Sequence, residues 1–484
     1  MTIPLKPYPK MKPSGVQWLG EVPEHWEILP NRAVFQEVKD KGYPEEQMLS
    51  VTIKRGVIQQ TELLNETSKK DSSNIDKSNY KLVQPGDIAY NKMRAWQGAF
   101  GISQYRGIVS PAYVIQRPKQ PSDSEYFHYL FRTPIFAKES ERWSYGITSD
   151  MWSLRPEHFK MIYVSHPPHE EQSAIVRYLS YMDKKIRKYI RNKQKLIKLL
   201  EEQKQAIIHQ AVTGQIDVRT GKPYSAYKDS GVEWLGKVPE EWEVLRLGWV
   251  LKERKEKNNP IKTDEILSLS LSKGVIPYAE KTGGGNKAKS DLSAYMLAYP
   301  NDIVLNSMNV VVGSVGLSKY FGAVSPVYYV LYPRNEIEDV QFYDSIFQDP
   351  SFQKSLFGLG NGIMVIESKS TGKLNTIRMR IPMTRLNKVL IPKPPIGDQT
   401  KIIEFVNKEK EEFKTVLDRT AKDIDLLREY RTTLIAAVVT GKLDVREAAQ
   451  SLPDISELDE PDVEEEVIEE EETVDAEIES NSED

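Results

Sequence analysis

Two short proline motifs are the first residues to test for chemistry. An adenine methyltransferase needs Asn or Asp before Pro-Pro and an aromatic residue after it, because these groups hold and stack on a flipped base. The nearest strings are His166-Pro-Pro-His169 and Lys393-Pro-Pro-Ile396. Both strings lack the amide or acid and the aromatic residue. We interpret them as turns that lead into helices.

Metal and nucleotide sites are not indicated either. His166 and His169 have no histidine counterparts in the second string, and the sequence contains no His-Glu-x-x-His arrangement. The glycine-rich stretch 282–289 lacks the Gly-Lys-Ser/Thr ending of a phosphate loop. We interpret it as a loop whose lysines can follow a DNA phosphate. We therefore expect no catalytic residue, no metal and no cofactor in this chain.

A set of polar and aromatic residues near glycines has the chemistry needed to read DNA bases. Arginine suits guanine and asparagine suits adenine. The candidates are Lys92, Arg94, Trp96, Gln97, Arg106, Thr148, Ser149, Lys287, Lys289, Asn306, Ser307, Asn309 and Lys319. Arg94 aligns with Asn309, so we expect the two regions to read different bases. The alternative is that Met93, Trp96 and Met308 are core residues and that the polar residues are only solvated.

Charge is distributed unevenly along the chain. The net charge of the 484 residues is −4, but residues 451–484 contain 17 acidic and no basic residues. Without this tail, 66 basic residues face 53 acidic ones, so the first 450 residues carry about +13. A basic body suits a polyanion such as DNA. We expect the tail to be disordered, either as a solubilising extension or as a competitor for the basic surface.

Two absences narrow the class of protein. The sequence has no cysteine, which excludes disulfides and thiolate zinc sites. It also has no signal peptide pattern and no run of about 18 apolar residues that could span a bilayer. We therefore expect a cytoplasmic protein.

An internal repeat is the main evidence for the architecture. The box from Ser14 to Leu29 recurs from Ser230 to Leu245 at an offset of 216, and Trp18 and Trp26 match Trp234 and Trp242. A second pair of motifs, Pro167-Pro168 to Asp217-Val218-Arg219 and Pro394-Pro395 to Asp444-Val445-Arg446, keeps an offset of 227. The constant spacing predicts one continuous helix of about 40 residues, about 60 Å long, in each copy.

Apolar residues in both helices follow the three-and-four spacing of a coiled coil. The predicted coiled-coil and partner interface comprises Ile175, Leu179, Met182, Ile186, Leu200, Ile402, Val406, Phe413, Ile424 and Leu427, and the seam also includes Tyr189, Leu196 and Val416. Both helices have a proline before them and a glycine after them at equivalent positions. The equal lengths favour pairing of the two helices with each other. The alternative is that each helix packs separately on its own domain.

The regions between these boxes share one fold, because Pro85-Gly-Asp-Ile and Ser110-Pro111 align with Pro300-Asn-Asp-Ile and Ser325-Pro326. Alternating runs at 88–90 and 108–115 predict strands, and 123–143 and 338–357 predict helices. The predicted fold class is thus α/β (α+β): two similar mixed α/β domains, joined by two long helices that form an antiparallel coiled coil, in a pseudo-twofold internal repeat. We call these domains the first head and the second head.

The predicted domains follow the repeat. They are the first box at 1–26, the first head at 27–165, the central helix at 166–214, the second box at 215–242, the second head at 243–392, the distal helix at 393–441, a helix-end segment at 442–450 and the tail at 451–484.

The duplicated order of these motifs resembles the specificity subunit of type I restriction-modification systems. The Trp-Leu-Gly-x-Val-Pro-x-x-Trp box, the Pro-Gly-Asp-Ile stretch and the Thr-Gly-x-Ile/Leu-Asp-Val-Arg ending carry the resemblance, which covers nearly residues 1–450. It implies that each head is a target-recognition domain for half of a split DNA site. It also implies two methyltransferase subunits that use S-adenosylmethionine and two motor-nuclease subunits that use ATP and Mg²⁺. Nothing in the resemblance accounts for the acidic tail.

Two other interpretations remain open at the level of sequence. One is a coiled-coil scaffold whose heads bind proteins. The other is the recognition subunit of a related two-part restriction system, which differs in a nuclease that this chain does not contain.

Overall fold

The computed structural model divides the chain into two compact units, Met1–Gln194 with Ala421–Asp484, and Lys195–Thr420. We call them unit 1 and unit 2. The structure describes residues 4–53, 55–66, 76–119, 124–146, 152–270, 273–281, 291–360, 365–367, 374–376 and 380–453. The first head lies in unit 1 and the second head lies in unit 2.

Unit 1 alternates short strands with helices. Its strands are β1 (Met11–Pro13), β2 (Glu21–Pro23), β3 (Glu27–Pro30), β4 (Phe35–Val38), β5 (Leu49–Thr52), β6 (Gly56–Gln59), β7 (Lys81–Val83), β8 (Ile88–Asn91), β9 (Phe100–Ile102), β10 (Gly107–Val109), β11 (Tyr113–Pro118) and β12 (Tyr163–His166). Its helices are α1 (Asn31–Val34), α2 (Gln60–Glu66), α3 (Ser124–Phe131), α4 (Pro134–Arg142), α5 (Pro156–Phe159) and the first part of α6 (His169–Val212).

A four-stranded antiparallel sheet in the order β4-β11-β8-β9 is the frame of the first head. Pairs β5-β6, β7-β10, β3-β12 and β1-β2 accompany it. One face of the sheet and the helices α3, α4 and α5 enclose a core that is rich in aromatic rings. Its fully buried members include Trp26, Phe35, Phe100, Phe127, Phe131, Phe136 and Phe159.

Unit 2 repeats this order. Its strands are β13 (Tyr227–Asp229), β14 (Lys237–Pro239), β15 (Glu243–Arg246), β16 (Leu251–Glu253), β17 (Leu267–Ser270), β18 (Gly274–Pro277), β19 (Met296–Ala298), β20 (Ile303–Asn306), β21 (Val315–Leu317), β22 (Gly322–Val324), β23 (Tyr328–Pro333), β24 (Val365–Glu367), β25 (Leu374–Thr376) and β26 (Leu390–Lys393). Its helices are the end of α6, α7 (Leu247–Val250), α8 (Val340–Phe347), α9 (Pro350–Ser355), α10 (Met383–Leu386) and the first part of α11 (Ile396–Val439).

The sheet of the second head has the order β16-β23-β20-β21, which matches the first head strand for strand. The pairs β17-β18, β19-β22, β15-β26 and β13-β14 also have counterparts in unit 1. The hairpin β24-β25 lies between α9 and α10, and unit 1 has an antiparallel bridge from Tyr145 to Ser153 at the matching place between α4 and α5. The core of unit 2 again gathers under the sheet, around Trp242, Phe342, Phe347 and Phe352.

The two 44-residue helices pack against each other. In unit 1 the start of α6 shares a core with the end of α11, through residues such as Leu179 and Val438. In unit 2 the end of α6 shares a core with the start of α11, through Val212 and Ile402. The pairing is therefore antiparallel, and the predicted fold class is confirmed.

Each long helix ends against one of the repeated boxes. After α6, Gly214 takes a left-handed φ of 75° and lies against Pro239 and Trp242 of the second box. After α11, Gly441 takes a φ of 73° and lies against Pro23 of the first box. The short helix α12 (Arg446–Gln450) follows in unit 1. In each unit, the repeated box therefore packs on the C-terminal end of a long helix, α11 in unit 1 and α6 in unit 2.

Several predicted elements differ from the structure. The helices predicted at 123–143 and 338–357 are each broken in two, because Thr133 and Asp349 cap a new helix whose first residue is a proline without an N–H. The strand predicted at 108–115 is two strands, because the chain turns between Val109 and Tyr113. From residue 454 onward, the predicted acidic tail lies outside the described residues.

Candidate nucleic-acid interface

Both heads carry the same loop after an inner strand of the sheet, β8 in the first head and β20 in the second. The side chain of Asn91, at the end of β8, accepts a hydrogen bond from the backbone N–H of Met93 at 3.0 Å. Asn306, at the end of β20, accepts one from the N–H of Met308, also at 3.0 Å. A 3₁₀ turn follows in each loop and ends at a glycine with φ of 89° or 82°. We call residues 92–98 and 307–313 the first and second reading loops.

Polar side chains differ between the reading loops although the backbones agree. In the first loop, the Arg94 guanidinium donates to the side-chain oxygen of Gln97 at 2.9 Å, and Lys92 lines an adjacent cleft. The position of Arg94 is taken by Asn309 in the second loop, and the equivalent 3₁₀ turn is Val310–Val312. A paired arginine and glutamine offer several donors to a base edge, whereas an asparagine offers one donor and one acceptor group.

Two of the predicted contact residues have structural roles. Ser307 is fully buried, and its hydroxyl donates to the Val327 carbonyl at 2.8 Å, so no polar atom remains for DNA. The carbonyl oxygen of the Asn306 side chain is used by the N–H of Met308. Because Asn91 does the same in the first head, this asparagine sets the shape of the loop. The prediction for Ser307 is therefore corrected, whereas a DNA contact by the amide N–H groups of Asn306 stays a prediction.

Trp96 is partly buried and holds the first loop together. Its indole N–H donates to the Met93 carbonyl at 3.0 Å, and its ring meets the edge of Trp152 at 5.5 Å between centroids. These contacts agree with the alternative stated above, that Trp96 has a packing role. Its partly exposed ring still leaves a surface for stacking.

The remaining candidates lie on other segments. Arg106, in the turn between β9 and β10, pairs with Glu46 at 2.7 Å and stacks over Tyr43. Lys319 is exposed in the matching turn between β21 and β22. The candidates Thr148, Ser149, Lys287 and Lys289 lie outside the described residues. The structure therefore brings Lys92, Arg94, Trp96 and Gln97 together on one loop, and places Arg106 on another.

A cleft of about 490 Å³ lies beside the first reading loop. Lys92, Tyr145 and Arg155 line it together with Ser153 and Glu157. Sequence reasoning missed Tyr145 and Arg155. Alignment of the two copies could have identified these two residues as candidates. The copies have too little sequence similarity in this stretch for such an alignment.

The predicted coiled-coil residues are mostly buried. Ile175, Leu179, Met182, Ile186, Ile402, Val406 and Ile424 are buried, and Leu200, Phe413 and Leu427 are partly exposed. Tyr189, Leu196 and Val416 are 52%, 41% and 46% exposed, so their assignment to the seam is corrected. A two-helix seam is narrow, and apolar residues beside it remain in contact with solvent.

Comparison with known proteins adds to this geometry. The type I restriction enzyme MjaVIII specificity subunit of Methanocaldococcus jannaschii is 25% identical over 209 residues, 42% of this chain and 43% of the relative. The type I restriction enzyme MjaIX specificity subunit of the same organism is 32% identical over 144 residues, 30% of this chain and 31% of the relative. This chain is related to type I restriction enzyme specificity subunits. The predicted resemblance is confirmed.

Other comparisons concern extent and fold. The chain spans less than half of the length of these two relatives, and no family model matches it. A chain from a structure on complex assembly and conformational transition of the type I R-M system aligns with a TM-score of 0.59, at 13% identity, over 86% of this chain and 98% of that chain. This likeness concerns the fold. The HsdS subunit from Thermoanaerobacter tengcongensis aligns over 87% of this chain and 98% of its own length, at 14% identity and a TM-score of 0.46.

Helices long and apolar enough to cross a membrane do not occur among the residues that the structure describes.

Proposed function

We propose that this chain is the DNA-binding specificity subunit of a type I restriction-modification complex. Each head reads one half of a bipartite DNA site, and the paired helices set the distance between the halves. The observation that carries the proposal is that two heads of one fold present the same reading loop with unlike side chains, such as Arg94 and Asn309. A protein that needed two equal sites would repeat the side chains as well as the backbone.

Charge supports a DNA partner. The first 450 residues carry about +13, as calculated from 66 basic residues in the chain and 53 acidic residues outside the tail. Binding of phosphates by lysine and arginine releases condensed counterions, which favours association with duplex DNA. The chain itself contributes no catalytic group in this proposal. It directs adenine N6 methylation or DNA cleavage that partner subunits carry out.

Exposed apolar residues on the long helices offer a surface for those partners. In unit 1 these include Tyr189, Leu426 and Tyr430, and in unit 2 they include Leu196, Leu199 and Val416. We assign this surface to two methyltransferase subunits, which bring S-adenosylmethionine. Two motor-nuclease subunits, which use ATP and Mg²⁺, complete the complex in the cytoplasm, where its DNA substrate lies.

The test is sequence-specific methylation by the reconstituted complex. The full chain is purified with its methyltransferase partner and incubated with S-adenosylmethionine and a randomised DNA library, and methylated adenines are located by sequencing. We expect one motif made of two short defined halves with an undefined spacer. Binding to the partner without any DNA sequence preference would support a protein-binding scaffold and contradict the proposal.

The spacing role of the helices has its own test. Removal of seven residues, 195–201, shortens α6 by about 10 Å, which corresponds to about three base pairs of duplex. We expect the preferred spacer to change or the complex to fail to assemble. An assembled complex with an unchanged spacer would contradict the proposal that the helices act as a ruler. Assembly is measured by size-exclusion chromatography before the motif is mapped.

A further inference from the structure

The cleft beside the first reading loop is built from two segments that are fixed to each other. The N–H of Leu154 donates to the Lys92 carbonyl at 2.9 Å, which ties residues 152–155 to the reading loop. Tyr145 pairs with Ser153 through two backbone hydrogen bonds of 3.3 and 3.1 Å. The Tyr145 ring packs on His158 and remains 58% exposed. Tyr145 and residues 152–155 are therefore held beside the first reading loop.

Positive charge gathers in and around this cleft. Lys92 and Arg155 line it, and Glu157 is the acidic residue among its lining residues. Lys81 lies near Lys92 and donates to two backbone carbonyls at 2.9 and 2.6 Å. Burial, and then the charge of Lys92 and of the neighbouring Lys39 and Lys41, lowers the pKa of Lys81, while Glu37 raises it. Cations that disfavour one another are stabilised when an anion binds among them.

The second head does not repeat these cations at the equivalent positions. Lys41 forms a β-bridge with Lys81, and the equivalent bridge joins Lys257 to Met296. The hydrogen bond from Leu154 to Lys92 is matched by one from the N–H of Ile381 to the Ser307 carbonyl, at 2.9 Å in both heads.

These bonds align the two heads residue by residue in this region. Lys81 corresponds to Met296, Lys92 to Ser307 and Arg155 to Pro382. All three cations of the first head are thus neutral residues in the second. The second head has an arginine, Arg380, at the position of Ser153, and its guanidinium lies over the Tyr329 ring at 6.0 Å. The backbone of this region is thus conserved, whereas its cations change position and partner.

We propose that the cleft of the first head binds one backbone phosphate of DNA, with Lys92 and Arg155 as donors to the phosphodiester oxygens, two donors that the second head lacks at the equivalent positions. This inference rests on the proposed function and names a contact within it. The lining residues include no asparagine or glutamine, the side chains that read adenine edges. A lysine and an arginine from separate segments instead suit a single anion.

Salt dependence of DNA binding distinguishes a phosphate contact from a base contact. We expect Lys92→Gln and Arg155→Gln each to weaken binding about tenfold, as for a lost charge-assisted hydrogen bond. The slope of log affinity against log salt should become shallower by about 0.9 in the double variant, because both side chains serve one phosphate. The recognised motif should not change. Binding is measured by fluorescence anisotropy with the chain in its methyltransferase complex.

Two further variants act as controls. Lys138→Gln removes an exposed lysine of α4 in the same unit and should leave both affinity and slope unchanged. Lys92→Arg keeps the charge and should retain most of the affinity, which separates loss of charge from disturbance of the loop.

Each other outcome contradicts the phosphate site. An altered base preference in one half-site with an unchanged slope would show base reading by Lys92 or Arg155. An affinity equal to that of the Lys138→Gln control would show that the cleft does not contact DNA. Failure of the proposed function looks different, because the wild-type complex would then lack any sequence preference, whatever its salt slope.

Discussion

The two heads have the same strand order but fill their cores differently. Phe35, Phe100 and Phe159 of the first head are replaced by Leu251, Val315 and Leu386 at the equivalent positions of the second, and all six are buried. Interior packing therefore tolerates exchange of rings for aliphatic side chains, provided that the positions stay apolar. The sheet and its connections therefore define the head, whereas individual side chains are free to diverge.

Ion pairs in the heads lead to the same conclusion. Asp87 and Asp302 occupy equivalent turns, and each accepts two hydrogen bonds from an arginine. In the first head the partner is Arg117 on β11, whereas in the second it is Arg254, which follows β16. The turn keeps its acid, and the arginine reaches it from a different strand. The ion pair is therefore kept in both heads, although the position that supplies the arginine differs.

Substitution of the glycines that follow the long helices tests the packing of each box on a helix end. We expect Gly214→Ala and Gly441→Ala each to destabilise their unit by about 3 kcal/mol, because both glycines have positive φ and the added Cβ would lie closer than 3.0 Å to a proline ring. The free energy of unfolding is measured with urea.

Matched glycines isolate the clash from the backbone strain. Gly221→Ala in unit 2 and Gly15→Ala in unit 1 also have positive φ, but no atom lies within 4 Å of the added Cβ. These controls should cost about 1 kcal/mol. Equal losses in control and test variants would show that contact between box and helix end does not stabilise the units.

At one equivalent position, the first head has a basic side chain, His128, and the second head has an acidic side chain, Asp344. Burial, and then Arg132, Arg187 and Arg431, lowers the pKa of His128 on α3 to about 3. Burial raises the pKa of Asp344, its counterpart on α8, to about 6, against the opposing effect of Lys410. Acidification therefore protonates His128 more readily in the unfolded chain and Asp344 more readily in the folded chain.

The two positions should respond to pH with opposite sign. Between pH 7 and pH 5, His128 should lower the stability of unit 1 and Asp344 should raise that of unit 2, by about 1 to 2 kcal/mol each. Hydrogen exchange of peptides from α3 and α8, corrected for the intrinsic rate at each pH, measures both. His128→Gln and Asp344→Asn should remove these slopes. Slopes of the same sign in wild type would contradict the comparison.

Local sequence signals were enough to predict the long helices. Prolines at 168 and 395 precede helices that begin at His169 and Ile396, and glycines at 214 and 441 follow helices that end at Val212 and Val439. These residues act through their own backbone, so no tertiary information was needed. The shared fold of the heads followed in the same way from the duplicated boxes.

Roles that depend on tertiary contacts could not be predicted. A polar residue such as Ser307 reads as a DNA contact until its burial and its bond to Val327 are known. Arg155 comes close to Lys92 only through the hydrogen bond between the segments that carry them, 63 positions apart in sequence. Tyr189 and Leu196 fit the spacing of a seam, but spacing alone does not show how wide the contact between two helices is.

Removal of the acidic tail tests whether the tail competes with DNA for the basic cleft of the first head. If residues 454–484 compete for basic surface, their removal should strengthen non-specific DNA binding a few-fold at low salt and little at high salt. The gain should be smaller in the Lys92→Gln, Arg155→Gln double variant, because the basic cleft occurs in the first head. A tail that only solubilises the protein would leave binding unchanged in both backgrounds.

Exchange of the residues at one equivalent position of the two reading loops tests most directly whether the heads read DNA independently. The motif that each variant complex methylates is then mapped. Arg94→Asn should change the preferred bases in one half of the motif, and Asn309→Arg should change them in the other half, each by about 1–3 kcal/mol of discrimination. The spacer and the untouched half should stay as in the wild type. A change in both halves from either substitution would contradict the account.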